Sequence, residues 1–277
     1  FETRIFVRLL DKYGDMIENS FSLSVLNVAP VPVLLSSPSL SISEGESLNP
    51  NRISFSFSDV GLLDSSFSVQ IDWTSSGQWT SVRTSPLTPS RGTTLFIADR
   101  SPVALNGPSS FTVLVRVSDG QTNGVSDPIA VTVNVNNVAP SVNVAGSSVI
   151  SVMEGSSPAA DAMRIAISDP GSLDSHRVFI DYGDQGNFVD ITDQLDSLVL
   201  NQPIVLPAMG ILPDGPLSLP VSVRVEDSDG GVDSVTITVN VQNAKPSIRT
   251  DLPDSFLSSY TLDEGKSLPQ QFVLWED

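Results

Sequence analysis

The feature that most constrains this chain is its internal repetition. Residues 6–30 (FVRLLDKYGDMIENSFSLSVLNVAP), 113–140 (VLVRVSDGQTNGVSDPIAVTVNVNNVAP) and 221–246 (VSVRVEDSDGGVDSVTITVNVQNAKP) share one plan. Each reads as a strand, an acidic turn, a second strand and a Pro-terminated junction. The outward Arg of the first strand recurs at equal steps, at Arg8, Arg116 and Arg224. A Glu-Gly pair recurs at equal steps too, at Glu44, Glu154 and Glu264. An Asp after an apolar run recurs at Asp59, Asp169 and Asp277. Landmarks held in register over such a period are the mark of tandem copies of one structural unit.

The register sets the expected boundaries. Residues 31–140 and 141–246 are two complete units. Residues 1–30 supply the last two strands of a preceding unit, and residues 247–277 the opening strands of a following one. The chain thus reads as a slice of a longer protein. Strands without partners present open sheet edges, which a neighbouring repeat or a second chain can complete.

Within the unit, the period is that of β-structure. Val131 to Val135 (VTVNV) and Val235 to Val241 (VTITVNV) alternate apolar and polar residues, as half-buried strands do. Val221, Val223 and Val225 alternate with Ser222 and Arg224, which places the valines inward and the Arg outward. Phe55 and Phe57, Ile165 and Ile167, and the run Phe67, Val69, Ile71, Trp73 follow the same rule. No stretch of 10–12 residues has helical period. Seven or so short strands in about 108–110 residues, with Gly, Pro and Asp between them, predict an all-β chain of tandem immunoglobulin-like antiparallel sandwiches. Residues 84–108 and 195–216 are irregular and predict a short strand with long loops.

Composition sets what such sandwiches can do. Lys and Arg number 14 against 32 Asp and Glu, a net charge of −18, with one His and no Cys. An acidic surface repels phosphate backbones and anionic lipids, so nucleic acid is excluded as a partner. No apolar run is long enough to insert in a membrane. Without Cys there is no disulfide framework or thiol chemistry. The single His, His176, has no second His for a metal site and no counterpart in the first unit, and is expected at a turn or strand edge. No catalytic constellation can be named, and the chain is not expected to be an enzyme.

The acidic turns are the remaining candidates. Asp169 and Asp174 lie after an early strand, and Asp227 and Asp229 before the last one. The matching set in the first unit is Asp59, Asp64 and Asp119. Asn27 and Asn137 stand at the junctions, and Glu44 and Glu154 offer further oxygens. Hard oxygen donors from separate loops suit Ca²⁺, at the weak affinity of extracellular modules, roughly 10⁻⁴–10⁻³ M. The competing reading is that these Asp residues simply cap turns. Trp73 belongs to the inward phase of its strand, whereas Trp79 is open between packing and a sugar-stacking face. Arg8, Arg116 and Arg224 are read as packing over a neighbouring strand or pairing with an acid.

Asp169-Pro170-Gly171 with Asp174, then Ile180-Asp181-Tyr182-Gly183-Asp184, and Val221 to Asp229 resemble PKD-type (polycystic kidney disease) immunoglobulin-like repeats of microbial surface and secreted proteins. The Asn-x-Ala-Pro junctions and the Glu-Gly pairs are similar to those of cadherin-like repeats. The first unit departs from the pattern, with Asp59-Val60-Gly61 for Asp-Pro-Gly and Asp72-Trp73-Thr74-Ser75-Ser76-Gly77 at the second turn. The resemblance implies an extracellular, cell-surface location and a stalk, adhesin shaft or filament whose junctions calcium stiffens. It implies neighbouring repeats as partners, and self-association or lateral assembly. The alternative it leaves is a glycan- or protein-binding accessory module.

Overall fold

The computed structural model describes residues 2–62, 64–183 and 185–245. Beyond these it describes only the backbone pairing of Ser247–Ile248 with Trp275–Glu276. The landmarks at Glu264, Gly265 and Asp277, and Asp184 of the second turn, lie outside the described residues. The chain divides into two compact units: Phe1–Val138 with Pro170–Asp174, and Ala139–Asp169 with Ser175–Asp277.

The first unit opens with a hairpin of β1 (Glu2–Leu10) and β2 (Met16–Ser24). A sandwich follows: β3 (Val31–Leu34), β4 (Ser39–Ser43), β5 (Ser54–Ser58), β6 (Ser68–Asp72), β7 (Thr80–Ser81), β8 (Thr84–Ser85), β9 (Leu95–Ile97), β10 (Ser109–Ser118) and β11 (Ile129–Asn136). One sheet has the order β3-β5-β9-β8 and the other β4-β11-β10-β6-β7. Every pairing is antiparallel except that of β4 with β11. The chain changes sheets between β3 and β4, so one N-terminal segment edges both layers. This is the immunoglobulin-like arrangement.

The second unit repeats it with β12 (Ser141–Val144), β13 (Val149–Met153), β14 (Arg164–Ser168), β15 (His176–Tyr182), β16 (Val189–Asp190), β17 (Pro203–Val205), β18 (Leu217–Asp227) and β19 (Val232–Gln242). The sheets are β12-β14-β17 and β13-β19-β18-β15-β16, with β13 parallel to β19. A last pair, β20 (Ser247–Ile248) and β21 (Trp275–Glu276), follows. Its register continues the repeat: Val31 faces Ser58, Ser141 faces Ser168, and Ser247 faces Glu276.

The two cores follow from the alternation. Val113, Val115 and Val117 of β10 are fully buried, as are Val221, Val223 and Val225 of β18. Facing them lie Phe55 and Phe57 of β5, and Ile165 and Ile167 of β14. Each such side chain contributes about 1.5–3 kcal/mol on burial. A slip of one residue in register would turn the whole set outward. Trp73 is half-buried against the first core. In the hairpin, Val7 and Leu9 occupy the places of Val115 and Val117 but are 55% and 70% exposed. Among the described residues no second sheet covers them. The irregular segments resolve into β8 and β9 in the first sandwich and β17 in the second. A 3-10 turn, Thr192–Gln194, follows β16.

Candidate functional site: an acidic cluster and two glutamate staples

In the first unit, three loops carry carboxylates to one place. Asp59 follows β5, Asp64 ends the turn after it, and Asp119 follows β10. One carboxylate oxygen from each lies within 4.8 Å of the others. Asp64 and Asp119 are 8% and 5% exposed. The turns that hold them are built locally. Asp59 Oδ1 accepts the Gly61 N–H at 2.6 Å, and the Asp64 N–H reaches the Gly61 carbonyl at 3.1 Å. Asp119 Oδ1 accepts the Gln121 N–H at 2.8 Å, and the Asp119 N–H reaches the Gly124 carbonyl at 3.0 Å. Both glycines are required by close approach. A Cβ on Gly61 would stand 1.9 Å from Asp64 Oδ2, and one on Gly124 would stand 1.7 Å from Asp119 Oδ1.

Two oxygens of the cluster, Asp59 Oδ2 and Asp64 Oδ2, are buried and accept no hydrogen bond. Buried acceptors in native proteins are nearly always satisfied. Three carboxylates this close also repel. At an effective dielectric constant near 20, a pair at the outer limit of that spacing costs about 3–4 kcal/mol. The nearby cation, Arg91, does not offset this by pairing, because its guanidinium donates to the carbonyls of Gly61 (2.6 Å) and Asp64 (2.9 Å). Among the described residues, the side-chain donors that reach the cluster are neutral. Asn27 Nδ2 donates to Asp119 Oδ2 at 2.9 Å, and Gln121 Nε2 donates to Asp64 Oδ1. Acceptor-rich, buried and lacking a positive charge, the set fits a hard divalent cation. Asn27 ties the stretch between β2 and β3 to it. A groove lined in part by Leu26, Val60 and Leu62 opens beside Asp64 and Gln121.

In the second repeat of the sequence, Asp169 also engages a histidine. Asp169 Oδ2 lies 2.8 Å from His176 Nε2, with both side chains almost wholly buried. His176 opens β15, in keeping with a residue at a strand edge, and its side chain is buried. By strand register its counterpart in the first repeat is Phe67, since Val69 and Val178 pair with the equivalent Val117 and Val225. Asp174 keeps the local turn of Asp64, its N–H reaching the Gly171 carbonyl at 3.1 Å. Asp227 is buried and its Oδ1 accepts the N–H groups of Asp229 (2.8 Å) and Gly231 (2.7 Å). Asp229 is exposed on that turn. Asn137 follows β11 and is half-buried.

Glu44 and Glu154 form a repeated staple that pattern reading missed. Glu44 is 1% exposed. Its carboxylate accepts the Gly107 N–H and the Val138 N–H, both at 2.7 Å. Glu154 accepts those of Gly215 and Ala244. Each Glu thus joins the end of the parallel edge strand to the segment entering β10 or β18 and to the segment leaving β11 or β19. Gly45 and Gly155, at φ 73° and 69°, make the sharp turn this needs. The amides of Gly215 and Ala244 hold the Glu154 carboxyl below its ordinary range, against the opposing effect of burial. The recurrence of Gly107-Pro108 as Gly215-Pro216, at the same step as the Arg landmarks, was the available signal.

The remaining candidates are structural. Burial pushes the Asp72 carboxyl up, but the amides of Thr74, Gly77 and Ser76 outweigh it and lower it. Asp72 Oδ2 accepts the Gly77 N–H at 2.6 Å and Asp181 Oδ2 that of Gly186 at 2.7 Å. The second turn therefore closes alike in both repeats despite its different sequence. Arg116 lies 3.9 Å from the centre of the Trp79 ring and donates to Gln70 at 2.8 Å. That ring face is stacked on Arg and is not an open sugar platform. Arg224 lies 4.8 Å from both Phe179 and Phe188 and pairs with Glu226 at 3.0 Å. Arg8 pairs with Glu18 across the hairpin.

Fold and site define a class: tandem immunoglobulin-like sandwiches with carboxylates gathered on the end loops. No protein-family model matches the sequence, and no curated protein matches it. Among solved structures, the chain is similar to protocadherin gamma B2 extracellular cadherin domains 3–6. The TM-score there is 0.34 and the identity 16%, over 91% of this chain and 61% of that one. Drosophila N-cadherin EC1–4 matches at TM-score 0.31 and 12% identity, over 91% and 62% of the two chains. Human mucin-like protocadherin EC1–2 matches at 0.32 and 14%, over 77% and 99%. The chain therefore spans about six-tenths of the first of these. Among the described residues no helix is long and apolar enough to cross a membrane.

Proposed function

We propose that this chain is a structural segment of a long extracellular microbial surface protein, a stalk, adhesin shaft or filament built from tandem sandwiches. A calcium ion held by Asp59, Asp64 and Asp119 stiffens the stretch between β2 and the first complete repeat. The observation that carries this reading is the convergence of three carboxylates with two buried oxygens that accept no hydrogen bond. A bound Ca²⁺ supplies the charge these groups lack. Asn27, through Asp119, passes the constraint to the residues preceding β3. Each domain adds length, and the prolines at positions 30 and 140 keep the residues before them extended. The role is mechanical, with no reaction chemistry.

Calcium titration of the whole chain tests it, by calorimetry and by thermal melting. The expected dissociation constant is about 10⁻⁴–10⁻³ M. At about 10 mM calcium this stabilises the first repeat by about 1.5–3 kcal/mol. Asp59→Asn and Asp119→Asn abolish the gain. Melting that ignores both calcium and chelator, with no heat of binding, overturns the reading.

A further inference from the structure

We propose that Arg91 is a positioning residue of the Asp59–Asp64–Asp119 site, a proposal that rests on the cation reading above. The loop carrying Asp64 is anchored little by apolar packing at Val60 and Leu62, which are 73% and 87% exposed. Arg91 is remote from that loop in sequence, on the segment entering β9. Its Nη1 donates to the Gly61 carbonyl at 2.6 Å. Its Nη2 donates to the carbonyls of Asp64 at 2.9 Å and Leu62 at 3.5 Å. The planar fork of a guanidinium spans several acceptors at once, which an ammonium cannot do. The guanidinium also lies 5.6 Å from the centre of the Phe67 ring. Phe67 in turn stacks on buried Phe57 at 4.8 Å. The loop is therefore tied through Arg91 to the core, with an Asp64 carboxylate oxygen within 4.8 Å of those of Asp59 and Asp119.

The second repeat supplies the comparison. Gly92 donates its N–H to Phe57, and Asn201 donates its N–H to Ile167. Both adopt positive φ, 71° and 60°. The residue before each is thus equivalent: Arg91 in the first repeat, Leu200 in the second. Leu200 packs on the second core. The first repeat has placed a loop clamp where the second has an apolar plug.

The test compares the whole chain with Arg91→Leu and Arg91→Lys. It measures calcium affinity by calorimetry, melting in chelator, and amide exchange at Gly61, Leu62 and Asp64. Arg91→Leu is expected to weaken calcium binding about tenfold or more, the range for residues that orient metal ligands. Exchange in residues 61–64 accelerates, melting in chelator shifts by no more than about 2 °C, and Arg91→Lys falls between. Unchanged affinity in Arg91→Leu overturns the proposal. So does a loss of affinity accompanied by an equal fall in calcium-free stability and faster exchange throughout the repeat. If the unaltered chain binds no calcium, the cation reading itself fails, a result distinct from equal binding by the two chains.

Discussion

Replacing Glu44 by Ala removes the staple of the first repeat, and its cost follows from the geometry. Two N–H groups, of Gly107 and Val138, donate at 2.7 Å to a carboxylate that is 1% exposed. Hydrogen bonds to a charged partner contribute about 1.5–3 kcal/mol each. Water entering the vacated space recovers part of this, so about 3 kcal/mol is expected for the pair. A sandwich of this size shifts by about 4 °C per kcal/mol, which gives a fall of about 12 °C in melting temperature. Glu44→Gln keeps one acceptor oxygen but sets an amide NH₂ against the other donor, and costs about half as much. The assay is urea unfolding of the whole chain in chelator, followed by tryptophan fluorescence. Two of the three tryptophans, Trp73 and Trp79, lie in the first repeat. Glu46→Gln, on the same turn but accepting a long 3.2 Å bond from Ser43, is the control and is expected within about 0.5 kcal/mol of the unaltered chain. A loss below about 1 kcal/mol for Glu44→Ala, or equal losses for Glu44→Ala and Glu46→Gln, would refute the staple.

Further outcomes are expected at the acidic turns. Gly124→Ala drives a methyl group into Asp119 Oδ1, and calorimetry should show calcium affinity reduced at least tenfold, roughly the loss of one ligand's support. Asp190 titrates at about 2, held down by the Thr192 hydroxyl and amide and by Arg177. Its folded value lies below its unfolded one, so its stabilisation is complete above about pH 4 and is lost as pH falls toward 2. Thr192→Val should raise the Asp190 titration midpoint observed by NMR; an unmoved midpoint contradicts the assignment.

The fold was legible because it is written in short-range pattern. The alternation around Val113–Val117 and Val221–Val225 specifies strands with one buried face, and the recurrence of Arg116 as Arg224 and of Glu44 as Glu154 specifies tandem copies. The irregular stretches were not legible, since β8, β9 and β17 are very short and exist only by pairing with β5, β14 or each other. The acidic site was half legible. Asp59, Asp64 and Asp119 stand out by their recurrence. The recurrence did not show that Asp169 in the second repeat also meets a buried His176.

By itself, then, the sequence determined the period, the strand faces and the identity of the acidic residues. Tertiary structure alone decided which carboxylates meet, that Glu44 and Glu154 bind main-chain amides, and that Arg91 grips the loop beside Asp64. The physical reason is one of range. Strand phase is a property of neighbouring residues. A cation site or a staple instead joins groups far apart in the chain, as Arg91 is from Asp64 and Glu44 from Val138, brought together by sheet pairing and loop geometry.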